Sequence, residues 1–319
     1  MATRGPGNGR TPPLARAGVV VLGTGQDAGV PQVGCDCPTC ERAWRDDTIR
    51  RLPPALGVWS SDDEGLVYGL LVDASPQITV QLAMLQAASG RKAARRHPVD
   101  RILLTHAHIG HYLGLALLGR EGASTHGIPV LCSKTMDRFV RANRPFSHLV
   151  ERSELVLQVI APGKPLDLLP GVRGSVHLVP HRGEDSDTLA LSLEGAGRSV
   201  LYMPDVDRLG PEELAMISHH DVCLVDGTFF SSAELQGRTQ AEVPHPPMEI
   251  SLRALPRRQG VYFTHINHSN PVLLQESVER AALTSSGHAL AVDGQWFALG
   301  SKEEGIAHWP WEATPPPSR

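Results

Sequence analysis

The chain has 319 residues, of which 41% are hydrophobic and 20% charged, and a formal net charge of -4. That composition allows a buried core and argues against wholesale disorder. The absence of a basic excess removes the electrostatic footprint of a nucleic-acid binder, and no apolar run approaches the ~20 residues that span a bilayer.

Residues 1–16 hold Arg, Gly and Pro but no apolar stretch of the export type, so they read as a flexible tail and the protein is expected in the cytoplasm. Short apolar runs that end in Gly, Asp, Pro or His then read as buried strands: 18–22, 65–72, 101–104, 129–132, 174–179, 189–193, 199–203, 222–225 and 260–263. Helical periodicity predicts helices over 77–88, 112–119, 134–142, 211–217, 248–254 and 273–282. Many strands and several helices predict one layered sheet-and-helix domain over 17–307, followed by a tail over 308–319. A doubly wound parallel sheet is the rival. Gly23-Thr24-Gly25 invites it, but Ala28 stands where a dinucleotide fingerprint would place its last glycine, so the stretch reads as a tight turn.

The densest chemical signal is Leu103-Leu104-Thr105-His106-Ala107-His108-Ile109-Gly110-His111. His106 and His108 share a side while the chain is extended, and His111 falls on the first turn of the helix that follows. Three imidazoles can therefore converge at one strand-to-helix junction. Asp73, His181, Asp205 and His265 also follow strand-like runs. Each alone would pass as a strand-end residue; their shared position makes them candidate ligands. Of five cysteines, Cys35, Cys37 and Cys40 cluster as CxCxxC, which in a chain without an export signal suggests metal before disulfides. Tetrahedral zinc would need a fourth ligand beside these thiolates. Cys132 and Cys223 sit in apolar runs and read as ordinary buried residues.

The order Asp73, His106/His108/His111, His181, Asp205, His265 resembles the five motifs of the metallo-β-lactamase superfamily. The resemblance implies an α/β fold, an αββα sandwich with a metal site at one edge of two facing sheets. It assigns His106, His108 and His181 to a first metal, His111 and His265 to a second, and Asp205 to a bridging place, with Asp73 ordering the histidine loop. One position departs: the superfamily usually reads HxHxDH, and the Asp place is Gly110 here. The second metal is thus expected to lack a carboxylate of its own, to bind more weakly, and to gain affinity if Gly110 is changed to Asp. Val30-Pro31-Gln32, the cysteine triplet, 71–78, Asp226-Gly227-Thr228-Phe229, His245-Pro246-Pro247-Met248 and 265–271 are similar to the pyrroloquinoline-quinone biosynthesis protein B (PqqB) family. The cysteine triplet also resembles that of the phosphonate-pathway cyclic-phosphate phosphodiesterases, where the second His of an HxxH pair closes a structural zinc. That likeness gives the fourth place to His268, with His265 as the alternative.

A bound metal would acidify water toward a pKa near ~7, and no GxSxG nucleophile motif competes with it. His245, held among prolines, is the candidate pocket acid or substrate donor, with Asp205 as the catalytic carboxylate. Arg182, Glu184 and Asp185 line the mouth or face water, and Asp226-Gly227-Thr228 reads as a turn near the pocket. The expected function is a metal-dependent hydrolase of a small phosphodiester, ester or lactam. It would carry a structural Zn and one or two catalytic metals (Zn, Mn or Fe). The PqqB resemblance implies a non-haem iron oxygenase as the alternative, and a metal-binding scaffold with a decayed second site is the non-enzymatic reading. The expected partner is a small-molecule substrate, not nucleic acid or membrane, and a homodimer is left open.

Overall fold

A computed structural model describes residues 16–300, apart from 93, 95 and 236, together with the backbone of 306–308. The expected tails at 1–16 and 308–319 lie outside these residues, save for Arg16 and the backbone of His308.

The first half of the chain builds β1 (Ala17–Gly23), β2 (Ala55–Ser61), β3 (Val67–Val72), β4 (Arg101–Leu103), β5 (Ile128–Cys132) and β6 (Leu155–Val159). The second half builds β7 (Leu166–Leu169), β8 (Val172–Val179), β9 (Thr188–Glu194), β10 (Ser199–Met203), β11 (Val222–Asp226), β12 (Val261–Thr264) and β13 (Ala289–Leu290). β14 (Gln295–Ala298) and β15 (Ile306–His308) then return to the first sheet. The two sheets run β15-β14-β1-β2-β3-β4-β5-β6 and β13-β12-β11-β10-β9-β8-β7.

Strand periodicity sets the layers. Val19 and Val21 of β1 point between the sheets, where they join Leu56, Leu70, Val72, Leu191, Val200, Tyr202 and Leu224. Val20 and Leu22 point outward, under helix α2 (Ile78–Ser89), and the same outer core continues to α4 (Lys134–Ala142) and α5 (Phe146–Glu151) beside β6. On the far side, Leu201, Cys223, Val225 and Phe263 pack under α1 (Pro38–Ala43), α6 (Pro211–His219), α7 (Met248–Ala254) and α8 (Val278–Ser285). Both sheets are thus buried on both faces in their centres, which is why their strands read as continuous apolar runs rather than alternating ones. The result is the expected αββα sandwich, and the doubly wound alternative falls.

Two predicted helices differ. The pattern over 112–119 is a short helix α3 (Ile109–Tyr112) that tightens into a 3-10 turn over Leu113–Leu118. The Ala74 N–H donates to the His111 carbonyl (2.7 Å) and the Gly114 N–H to the Ala74 carbonyl (2.8 Å), so the loop after β3 draws these groups out of the α-helical ladder. The 273–282 pattern is split between a 3-10 turn at Pro271–Leu273 and α8, which Ser277 caps.

Candidate metal centre

β3 and β4 are parallel, as are β10, β11 and β12, and β8 runs in their sense because each is antiparallel to β9. Residues that leave the C-terminal ends of these strands therefore meet at one edge of the sandwich. Asp73 leaves β3, His106 and His108 follow β4, His181 follows β8, Asp205 follows β10 and His265 follows β12. Asp73 and His265 take φ of 64° and 59°, a left-handed conformation that non-glycine residues rarely adopt.

Four of the rings are fixed through Nδ1. His111 Nδ1–H donates to Asp73 Oδ2 (2.7 Å), and Asp73 also accepts the Thr105 N–H (2.8 Å), so this buried carboxylate organises the histidine loop as expected. Thr105 Oγ1 pairs with His106 Nδ1 (2.9 Å), Asp207 with His181 Nδ1 (2.9 Å) and Thr228 Oγ1 with His265 Nδ1 (2.9 Å). This is how a metal-binding protein sets ring orientation and tautomer. His108 differs: its Nδ1 lies 3.3 Å from His181 Nε2, so it approaches the cluster by the other nitrogen. Burial pushes His106 well down and His108 to about 4, and it lowers His265, so these rings are neutral and carry lone pairs at physiological pH.

The remaining nitrogens converge on Asp205. Its Oδ2 is 3.2 Å from His111 Nε2 and 3.3 Å from His265 Nε2, while Oδ1 is 3.6 Å from His181 Nε2. His106 Nε2, His111 Nε2, His265 Nε2 and both Asp205 oxygens are nevertheless buried without an aligned hydrogen bond. Leaving one such atom unsatisfied costs about 1–3 kcal/mol, and several facing one another are better explained by a shared cation. Ligand atoms of His106, His108, His181 and Asp205 lie within 4.8 Å of one another, and so do those of Asp27, His111 and His265. The residues expected at the two metals thus lie together around Asp205, and the ligand atoms of Asp205, Asp226, His245 and His265 form a further group within the same distance. Asp27, from the loop after β1, brings a carboxylate to the group left short by Gly110.

His245 joins the same edge. Its Nδ1–H donates to Asp226 Oδ2 (2.7 Å), and its ring stacks 5.7 Å from His265 and lies 5.1 Å from His181. Burial alone would lower His245, but the charge and hydrogen bond of Asp226 outweigh it and hold the ring above its ordinary range. Asp226 is itself pinned by the N–H groups of Val206 (3.1 Å) and Thr228 (2.9 Å).

A second cluster lies close by. Cys35 Sγ and Cys37 Sγ are 3.4 and 3.5 Å from His268 Nδ1, and Cys40 completes a set whose ligand atoms lie within 4.8 Å of one another. Bond lengths of ~2.3 Å to sulfur and ~2.0 Å to nitrogen put the atoms of a tetrahedral site roughly 3.5–3.8 Å apart, so the donors fit zinc. His268, not His265, stands beside the cysteines. Cys132 and Cys223 are buried elsewhere and their thiols are pushed up to about 12 and about 11 by burial.

A sequence model of the β-lactamase superfamily domain matches residues 68–284. A coenzyme PQQ synthesis protein B from Methylobacterium sp. (strain 4-46) is 31% identical over 304 residues, covering 88% of this chain and 99% of that protein. The chain belongs to the metallo-β-lactamase superfamily, in its PqqB-like branch. Zn(2+)-bound PqqB from Methylobacterium extorquens superposes with a TM-score of 0.75 at 26% identity, covering 88% of this chain and 99% of that one. A diphosphatase of the PhnP family superposes with a TM-score of 0.63 at 22% identity, over 88% of this chain and 96% of that one, a likeness of fold.

Within this PqqB-like frame, a cleft of about 210 Å³ is lined by Asp27, Phe229, Arg238, Val243, Asn267 and His268 among others. Nothing in the sequence singles out Asp27, Asp207 or Arg238, and Asp226 and Thr228 read there as parts of a turn. Asp226 ends a buried strand as Asp73 and Asp205 follow theirs, and that shared position was the available signal. Asp27 sits in a glycine-rich loop and carried none.

Proposed function

We propose that the protein is a metal-dependent hydrolase of a small anionic substrate, a phosphodiester before an ester or lactam. The observation that carries this is the convergence of His106, His111, His265 and Asp205 as buried atoms without aligned partners. The superfamily membership and the zinc-bound PqqB relative support it. His106, His108 and His181 would hold one metal, His111 and His265 a second, and Asp205 would face both.

When bound, such a pair supplies an acidified water and takes up charge on a phosphoryl or carbonyl oxygen. The protein does the rest. Asp73, Thr105, Asp207 and Thr228 lock the rings in one orientation, so ligand geometry need not reorganise during reaction. His245 is turned by Asp226 so that Nε2 is the nitrogen left for substrate, where it can hold a proton for the leaving oxygen. Arg238 in the cleft and Arg182, which follows His181, add positive charge for an anionic group. Cys35, Cys37, Cys40 and His268 would hold a structural zinc that ties the N-terminal loop to the loop after β12.

The test is a panel of generic phosphodiester, lactone and β-lactam substrates, assayed with Zn, Mn and Fe(II). Phosphodiester turnover that needs His108 supports the reading. Kinship with the coenzyme PQQ synthesis protein favours a second reading: oxygen uptake with Fe(II) and no hydrolysis would move the assignment to an oxygenase. Zinc at the cysteines alone would leave a scaffold.

A further inference from the structure

Gly110 occupies the place of the superfamily's second-metal aspartate, and the space its side chain would take is filled. A Cβ built there falls 2.4 Å from Asp27 Cα, 2.7 Å from Asp27 Oδ1 and 2.8 Å from the Asp27 carbonyl oxygen. The Gly110 N–H donates to Asp27 Oδ1 at 3.3 Å. Asp27 therefore enters through the volume that an aspartate at position 110 would use, and brings the same functional group to His111 and His265.

The loop that delivers Asp27 is constrained. Asp27 has φ of 25°, outside the comfortable range for a residue with a side chain. Its neighbours hold it there: the Gln26 N–H donates to the Ile266 carbonyl (3.0 Å), Ile266 to Thr24 (2.7 Å), Gly25 to Leu52 (2.8 Å) and Gly29 to Gln26 (2.6 Å). The partner segment of that bridge, residues 265–268 after β12, carries His265 at one end and His268 at the other. The cysteine cluster closes the same two loops a second time, a few residues farther along each. Asp27 and His265, from opposite ends of the chain, are thus clamped to each other by a backbone bridge and by the Cys35, Cys37, Cys40 and His268 donors.

We propose that Asp27 is the carboxylate ligand of the second metal, replacing the aspartate absent at position 110, and that zinc at the cysteine site holds the Asp27 loop so that the second site can fill. This rests on the metal-centre reading above.

The experiment is metal analysis and Co(II) titration of the full chain, without reference to turnover. Cobalt at the cysteine site is distinguished by its thiolate charge-transfer absorption, and the histidine sites by their ligand-field bands. Asp27→Asn is expected to keep the cysteine-site and first-site metals and to lose the second. Its affinity there should fall by at least the ~10–100-fold that follows loss of a ligand's outer partner. The metals it retains report that it is folded. Cys37→Ser is expected to lose the thiolate band and to weaken the second site with it, while the first site still fills. Full second-site affinity in Asp27→Asn overturns the ligand assignment, and full second-site affinity in Cys37→Ser overturns the coupling. A wild-type chain that binds metal only at the cysteines overturns the reading of the centre itself, and this inference with it.

Discussion

Gly110→Ala sets two effects of opposite sign against each other. Position 110 lies in α3, where Ala is favoured over Gly by at most about 1 kcal/mol. Against that, the new methyl would sit 2.4 Å from Asp27 Cα, whereas carbon atoms rest at about 3.5–4.0 Å. The obstacle is backbone, held by the bridge to Ile266, so it cannot swing aside as a side-chain tip would. Overpacking of this kind costs about 1–3 kcal/mol, and sterics should win by roughly 1–2 kcal/mol. At about 2–4 °C per kcal/mol for a large domain, the melting temperature of chelated protein should fall by about 2–8 °C. Gly69→Ala is the control, since its Cβ would meet nothing closer than the Arg91 side chain at 3.5 Å; it should melt within about 2 °C of wild type. Gly110→Asp adds a carboxylate to the same collision and should weaken the second metal rather than strengthen it. Scanning calorimetry decides: a Gly110→Ala protein as stable as wild type would refute the packing of Asp27 against position 110.

Other outcomes follow from the hydrogen bonds. Asp226→Asn, which takes the charge from behind His245, should lower kcat by ~10–100-fold with metal content unchanged; loss of metal instead would place His245 among the ligands. Asp73→Asn should reduce occupancy of the His111 site and destabilise the fold by about 1–3 kcal/mol, because the buried Thr105 and His111 contacts lose their charged partner; urea melts measure it. Native protein treated with a thiol reagent should leave Cys132 and Cys223 unmodified, since both are buried and their thiols are held up at about 12 and about 11. Zinc should leave as Cys35 and Cys37 react, and labelling of Cys132 before denaturation would contradict the packing of β5.

The sandwich was legible because both sheets bury both faces, which prints β1, β4, β10 and β11 as unbroken apolar runs. β6 was missed for the opposite reason: it lies at a sheet edge, and Val156 and Val159 are exposed. β2 was missed because Gly57 interrupts its pattern, and only the structure shows Leu85 and Val20 filling the space beside it. The metal centre was legible where its residues are close in sequence or follow a strand, as His106 to His111 and His181 do. His268 was reached from the HxxH resemblance, since nothing local ties it to cysteines more than two hundred residues away. Asp27 was illegible because its part depends on a vacancy at Gly110, 83 positions along the chain. A sequence displays the missing aspartate, and only the fold shows what has taken its place.

The most direct test of the central claim is the metal content per chain of wild type and His108→Ala, each assayed in parallel for phosphodiester hydrolysis. The histidine centre predicts metal at both histidine groups and at the cysteines in wild type. It predicts loss of the first-group metal and of all turnover in His108→Ala. Zinc at the cysteines alone, or hydrolysis that survives His108→Ala, would contradict it.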